Sequence, residues 1–383
     1  MTAGDQPRAG AGAGEQPRAG VRPRPGIRPR TGTPVAAPAT APAGTRASDR
    51  RLEAPHRRGG GASPRVLERL AVAGYRALSW VLSTVPPDLA AGVVGRASQL
   101  SYLAWPTKRR WSNRNFGHVL GLPPAHDHVR SMALRAYYGY GRYLVELMRL
   151  PTRTPDERAA MVPDLDAVEF KRLWREAPNG GGLIFVVGHV GSNDAVAAAI
   201  ARHDMPISVV ADDSSFPELF ELLRRQREAW GVKIIAWRNL REIFGVLRRR
   251  EMLGLLVDWG YRSDGIPVKL FGQWTALPAG PATLAAKTGS RIVPITIRRR
   301  PDRTFLVTWP GPIDLASSDP AELQRATQAV ADALASTIAA APEQWYSFKP
   351  IWPSKPEEAA DLARRAALMQ AGIADPGPAP EFA

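Results

Sequence analysis

LIFVVGHVGSNDAVAAAIARHD, residues 183–204, is the stretch whose reading decides the fold. It opens with branched and aromatic apolar residues, breaks at Gly188 into a short polar turn, and from Asp194 becomes Ala-rich. An apolar run that short, with no polar alternation, reads as a strand buried on both faces. Ser192 or Asn193 is a good N-cap for the helix that follows. The step is therefore strand, turn, helix. His189 stands at the carboxyl end of the strand, the edge at which open α/β sheets collect ligands.

Working outward, the same alternation recurs. Apolar segments at 207–211 (ISVVA), 232–237 (VKIIAW), 252–259 (MLGLLVDW), 291–299 (RIVPITIRR) and 304–310 (TFLVTWP) read as strands. Helical stretches separate most of them: DAVAAAIARH, FPELFELLRRQREAWG, NLREIFGVLRRRE and PAGPATLAAKTG. The expected fold is α/β, a central mixed, largely parallel sheet flanked by helices. A final helix over 319–340 leads into PEQWYSFKPIWP.

Upstream of this core the texture changes twice. Residues 1–63 are Arg, Pro, Gly and Ala-rich, with the near-repeat GDQPRAG and GEQPRAG. Eleven Arg against four acids supply about half of the formal charge of +15. Such a segment has too few aromatic and branched residues to offset its ordering entropy, so it reads as a disordered tail. Without interleaved aromatics it is a poor nucleic-acid binder, and no nucleic-acid partner is expected. From 64 to 105 the chain is mostly apolar, with Arg69, Arg76, Trp80, Arg96 and Trp105 scattered through it, and Pro86 and Pro87 split it into two helical pieces. Glu68, Arg69 and Arg76 would be costly at a bilayer centre. Two readings fit the pattern: an interfacial helical segment with snorkelling Arg, or a helix packed on the protein's own core. Lys108, Arg109, Arg110 and Arg114, next to Trp111 and Phe116, suit contact with anionic lipid or, as any charge run does by default, a plain solvated face. Residues 127–150 form a Tyr- and Arg-rich amphipathic helix ended by Pro151. The organisation is thus a tail over 1–63, a domain over 64–353, and a helical then flexible C-terminal tail over 354–383.

The chain contains no cysteine, which excludes disulfides and thiolate chemistry and disfavours a structural zinc site. Its N-terminus lacks the apolar core of a secretory signal, and no clean 18-residue apolar run occurs. Catalysis would have to use His, carboxylates, hydroxyls or Lys.

His189 and Asp194, with four residues between them, are candidates for a base and its orienting carboxylate. Residues five apart in one helix point away from each other. With His189 in the turn and Asp194 in the first helical turn, the carboxylate can fold back toward imidazole Nδ1, leaving Nε2 to take a proton from a hydroxyl. Gly188 and Gly191 would let the backbone turn sharply and leave room for a substrate beside the ring. The same residues also suit a capped corner in which Asp194 merely favours the helix N-terminus.

The ordered blocks YYGYGRYLVELMRLP, GGLIFVVGHVGSND, DWGYRSDGIPVKLFGQWTALPAGPATLAAKTGSRIVPITIRR and PEQWYSFKPIWP resemble the glycerolipid acyltransferases, most closely the bacterial branch of lipid A late acyltransferases and phosphatidylinositol mannoside acyltransferases. The resemblance runs from about 66 to 353. It implies a glycerolipid acyltransferase-like fold and transfer of a fatty acyl group from acyl-CoA or acyl carrier protein to a hydroxyl of a membrane glycolipid. It also implies membrane lipids as partners, no cofactor or metal, and a place on the cytoplasmic face of the cell membrane. Carried over by position, His189 would be the general base and Asp194 would orient the imidazole. Gly191, Ser192 and Asn193 would line the substrate side, joined by Asp258 as an acceptor-binding or structural group, by Arg238 as a phosphate or headgroup ligand, and by Arg262. Asp264 suits a loop ion pair with Arg262 equally well. The start of LPAGPATLAAKTG offers helix amides for an oxyanion or a phosphate.

Pro267 and Lys269 stand where the mannoside branch carries a further acidic residue, and no Phe-Pro-Glu-Gly motif occurs, which argues against a lysophosphatidate enzyme. Ser192 lies between Gly191 and Asn193 and so makes no nucleophile elbow of the α/β-hydrolase type. Neither Gly-rich nucleotide fingerprint is present. The remaining alternatives are a lysophospholipid or other lipid acyltransferase and a non-catalytic lipid-binding protein on the same fold.

Overall fold

The computed structural model describes residues 64–177, 180–212 and 217–382. The tail expected over residues 1–63 lies outside them.

Four helices precede the sheet: α1 (Pro64–Thr84), α2 (Pro87–Ala104), α3 (Pro106–Leu120) and α4 (Asp127–Arg149). Pro86 separates α1 from α2, and Pro87 and Pro106 sit at helix starts, where a missing N–H costs nothing. Two short helices, α5 (Pro155–Ala159) and α6 (Ala167–Arg175), lead into β1 (Leu183–Val187). Then strands and helices alternate: α7 (Asn193–Ala201), β2 (Ile207–Ala211), α8 (Pro217–Glu228), β3 (Val232–Ala236), α9 (Leu240–Arg248) and β4 (Met252–Leu256). Beyond β4 come β5 (Ile266–Leu270), β6 (Gln273–Leu277), α10 (Gly280–Thr288), β7 (Arg291–Pro294), β8 (Thr296–Arg299), β9 (Phe305–Thr308), α11 (Pro320–Ala340) and α12 (Pro356–Gln370).

Strands β3-β2-β4-β1-β7 form one parallel sheet in that order. Alternate residues of β1 feed two cores. Ile184 and Val186 pack with residues of α4, α10 and α11, whereas Leu183 and Phe185 pack with residues of α6 and α7. Burial on both faces explains why this strand shows no polar alternation. The β1 and β4 pairing sets Val187 opposite Leu256. Extending that register two residues brings position 189 level with position 258.

Two features differ from the sequence expectation. The 291–299 run is not one strand: β7 ends at Pro294, which has no N–H for the ladder, and β8 leaves the sheet to pair antiparallel with β9. The stretch 266–277, unassigned from sequence, is the β5 and β6 hairpin. Its two-residue turn, Phe271 and Gly272, has positive φ at both positions, as a type I′ turn requires. A Phe in that conformation is rare, and this masked the hairpin signal.

Helix α1 is both packed and exposed. Ser79 Oγ donates to the Met148 carbonyl (2.6 Å), Tyr75 reaches Gln226, and Arg69 reaches Glu218. Leu70, Leu78, Trp80 and Val81 are nonetheless exposed, as are Leu89, Val93, Leu100, Leu103 and Trp105 in and just after α2. Among the described residues no helix is long and apolar enough to cross a membrane. The C-terminal α12 is tied in by Arg365, 1% exposed, which pairs with Asp375 (2.6 Å) and donates to the carbonyls of Ser263 and Gly265.

Candidate active site

The parallel register delivers the central pair. His189 Nδ1 lies 2.6 Å from Asp258 Oδ1, and the His189 amide donates to the same carboxylate at 2.9 and 3.0 Å. Asp258 is fully buried and accepts a further bond from Trp345 Nε1 (2.8 Å), while its backbone carbonyl accepts from Ser347 Oγ (2.5 Å). Burial works to raise the Asp258 pKa. The charge of His189 and the surrounding donors outweigh it and hold the carboxyl below its ordinary range. An ionised Asp258 fixes the Nδ1–H tautomer, leaving Nε2 as the proton acceptor. The imidazole is 22% exposed, so that nitrogen can meet a substrate.

Asp258, rather than Asp194, is therefore the imidazole's partner. Asp194 Oδ1 takes Arg227 Nε (2.6 Å) and Oδ2 accepts from Tyr143 (3.1 Å), so both of its oxygens are engaged elsewhere. The physical reason is directional: α7 carries Asp194 back against α8 and α4, whereas β4 runs beside β1 and ends level with His189. Burial opposes the charge of Arg227, but Asp194 more than offsets this and keeps its pKa raised. The phenol of Tyr143 is pushed well up, first by burial and then by the charge of Asp194, and Tyr75 is pushed up to about 12 by the same two causes.

The glycines of the turn serve packing rather than substrate space. A Cβ on Gly188 would lie 2.6 Å from Leu334 Cδ1 and 3.1 Å from Asp258 Oδ2, so its absence admits the carboxylate. Gly191 has φ +68°, and a Cβ there would lie 2.7 Å from Ile297 Cγ2. Ser192 caps α7 without a side-chain bond and is buried. Asn193 Nδ2 donates to the Gly188 carbonyl (3.0 Å), bridging the turn, and its buried Oδ1 has no partner.

The other candidates are scattered. Arg262 and Asp264 pair with each other (2.6 Å) and are both exposed, the loop ion pair that was one of the two readings. Arg238 is exposed, with its guanidinium 5.0 Å from the Trp237 ring centroid. No hydrogen bond or ring contact among the described residues links Arg238, Arg262 or the start of α10 to His189. Two surface cavities, of about 420 Å³ beside Lys233 and Glu242 and about 600 Å³ beside Arg110 and His118, also exclude His189. Among the described residues no three His, Asp or Glu side chains gather as metal ligands would.

The closing block, quoted from the sequence without a role, turns out to build the site. Its Tyr346 amide donates to the His189 carbonyl (2.8 Å), and the Gly191 amide donates to the Gln344 carbonyl (3.1 Å), so this segment pairs alongside the His189 turn. Tyr143 stacks on Tyr346, and Tyr137 on Phe348. A buried pair of Arg299 with Glu146, bonded also to Tyr346, locks the same region. Trp259 follows Asp258 and lies tilted against the imidazole at 5.2 Å.

Residues 63–354 match the family described as bacterial lipid A biosynthesis acyltransferase. The chain belongs to that family. It is accordingly an acyltransferase, and the matched stretch includes His189, Asp258 and the closing block. Among its relatives is a phosphatidylinositol mannoside acyltransferase of Mycolicibacterium smegmatis, 28% identical over 284 residues, covering 73% of this chain and 90% of the relative. A phosphatidylinositol mannoside acyltransferase of Mycobacterium tuberculosis is 29% identical over 248 residues, covering 62% and 75%.

Proposed function

We propose that this acyltransferase moves a fatty acyl group from an acyl thioester, acyl-CoA or acyl carrier protein, to a hydroxyl of a membrane glycolipid such as a phosphatidylinositol mannoside. The observation that carries the mechanism is the 2.6 Å contact of His189 Nδ1 with the buried Asp258. Nε2 removes the proton of the acceptor hydroxyl as its oxygen attacks the thioester carbonyl. The tetrahedral intermediate collapses by breaking the C–S bond. The proton held on the imidazole passes to the departing thiolate, which restores neutral His189 and leaves an ester and a thiol. Asp258 stabilises the transient imidazolium, in the role an orienting carboxylate plays in other His-based sites. A thioester is already activated, so the chemistry needs no cofactor.

The acceptor class follows the names of the relatives and suits the surface. The exposed apolar side chains of α1 and α2, bordered by Lys108, Arg109 and Arg110, fit an interfacial position on an anionic leaflet at the cytoplasmic face. The test is acyl transfer by the purified full chain from palmitoyl-CoA to phosphatidylinositol mannoside, lysophospholipid and neutral glycolipid. Transfer to the mannoside above the others is expected. Preference for lysophospholipid would overturn the acceptor assignment, and hydrolysis without transfer would overturn the reaction.

A further inference from the structure

Lys349 belongs to the closing block and is held from several sides. Asn115, 1% exposed, donates from Nδ2 to the Lys349 carbonyl (2.7 Å) and the Ser347 carbonyl (3.2 Å). The next carbonyl, of Pro350, accepts from the Tyr261 amide (2.7 Å). The lysine stem lies on Gly260, whose φ is +151° and whose missing Cβ would sit 3.4 Å from Lys349 Cβ and 3.5 Å from Cδ. The ammonium ends 4.1 Å from the centroid of Trp259, the ring that leans on His189. A cation thus stands one aromatic ring away from the His189 imidazole.

A second cation acts on it through space. Lys108 Nζ lies 4.8 Å from the Trp111 centroid and 5.9 Å from that of Trp105, and it acts on Lys349 as a like charge. Burial first, and then Lys108, push the Lys349 ammonium below the ordinary lysine range, with Asp212 pulling the other way. Two ammonium groups set among tryptophans repel each other. Asp212 offsets this repulsion at Lys349 less than Lys108 adds to it, and an anion held by both ammonium groups would relieve it, with phosphate oxygens matching the three donors that each ammonium carries.

We propose that Lys349, laid over Trp259, and its neighbour Lys108 form a recognition site for a phosphate group of the substrate at the mouth of the His189 site. The inference rests on the acyl-transfer reading for its substrates, and two sources share this chemistry. One is the phosphopantetheine phosphate of the donor; the other is the phosphodiester of an anionic glycolipid acceptor.

The experiment compares kcat/KM for the full chain and its Lys349→Ala, Lys108→Ala and Lys349→Arg variants on paired substrates. The donor arm sets palmitoyl-CoA against the phosphate-free palmitoyl thioester of N-acetylcysteamine. The acceptor arm sets phosphatidylinositol mannoside against an alkyl mannoside. In one arm, Lys349→Ala is expected to lower the preference for the phosphate-bearing member about tenfold, the loss of one charge-assisted contact. Lys108→Ala should lower it in the same arm, and Lys349→Arg should retain most of it. The affected arm identifies the source. An unchanged preference in both arms, or an equal loss on all four substrates, overturns the proposal. Binding of CoA and of glycerophosphoinositol mannoside, followed by tryptophan fluorescence in a His189→Ala background, reads the site without turnover. Tenfold weaker binding of either on adding Lys349→Ala supports the site even where no transfer occurs, and unchanged binding of both overturns it.

Discussion

The turn after β1 and the turn after β4 each place an aspartate near a strand end, yet the two carboxylates do different work. Asp194, five residues along the chain from His189, is drawn into a partly buried network with Arg227 and Tyr143. Asp258, sixty-nine residues away, holds the imidazole. The difference teaches that nearness in sequence is a weak guide at a strand-to-helix corner. The helix carries its first turn away from the sheet edge, whereas a neighbouring parallel strand arrives at that edge in register. One carboxylate ties helices together and the other holds the imidazole.

That division can be broken by mutation. The largest effect is expected from His189→Ala, which should lower the rate of transfer at least a thousandfold with folding and membrane association retained. Near-normal turnover by the folded variant would remove the base from the mechanism. Next is Asp258→Asn, which keeps the shape but removes the charge and can present a donor to Nδ1, so the wrong tautomer forms. A fall in kcat of about a hundredfold or more is expected. It also bears on pH. The Asp258 pKa is lowered in the folded state, so its contribution to stability is present above the unfolded carboxylate value. It is lost as pH falls through the folded one. Acid unfolding of the wild-type chain should steepen below about pH 4, and Asp258→Asn should lack that component; identical acid profiles would contradict the pairing.

Asp194→Asn should show the opposite signature. It leaves the partly buried Arg227 without its carboxylate and should cost about 2 kcal/mol in chemical denaturation, with a smaller kinetic effect than Asp258→Asn. Combining it with Arg227→Met should return part of that stability. A kinetic loss as deep as that of Asp258→Asn, at undiminished stability, would merge the two roles. The smallest effect belongs to Arg262→Ala: the Arg262 and Asp264 pair is exposed on both sides, and its loss should stay within about 0.5 kcal/mol and leave KM unmoved. A large rise in KM would return Arg262 to the substrate site.

The comparison also shows what could be read in advance. The 183–204 stretch announced a buried strand, a capped corner and a His at the ligand edge, because strand burial and helix capping are written in neighbouring residues. Alternation over 207–259 carried the rest of the parallel core for the same reason. The hairpin at 266–277 was hidden by a Phe at a position that glycine usually fills, and the 291–299 run concealed a change of partner at Pro294. At the site, Asp258 was legible as a strand-end acid but not as the partner of His189. Trp345 and Ser347 carried no local mark of their role, although their block was conspicuous for its density of aromatic residues.

By itself, then, the sequence determined which residues could do the chemistry and which elements would hold them, since residue type, periodicity and capping act over a few positions. Only the tertiary structure decided the pairing. The register of β4 against β1 chose the carboxylate, the 344–349 segment closed over it, and the packing of α7 on α8 took Asp194 away. Those choices depend on contacts between residues tens to hundreds of positions apart, where no local pattern in the chain says which of two equivalent carboxylates will arrive.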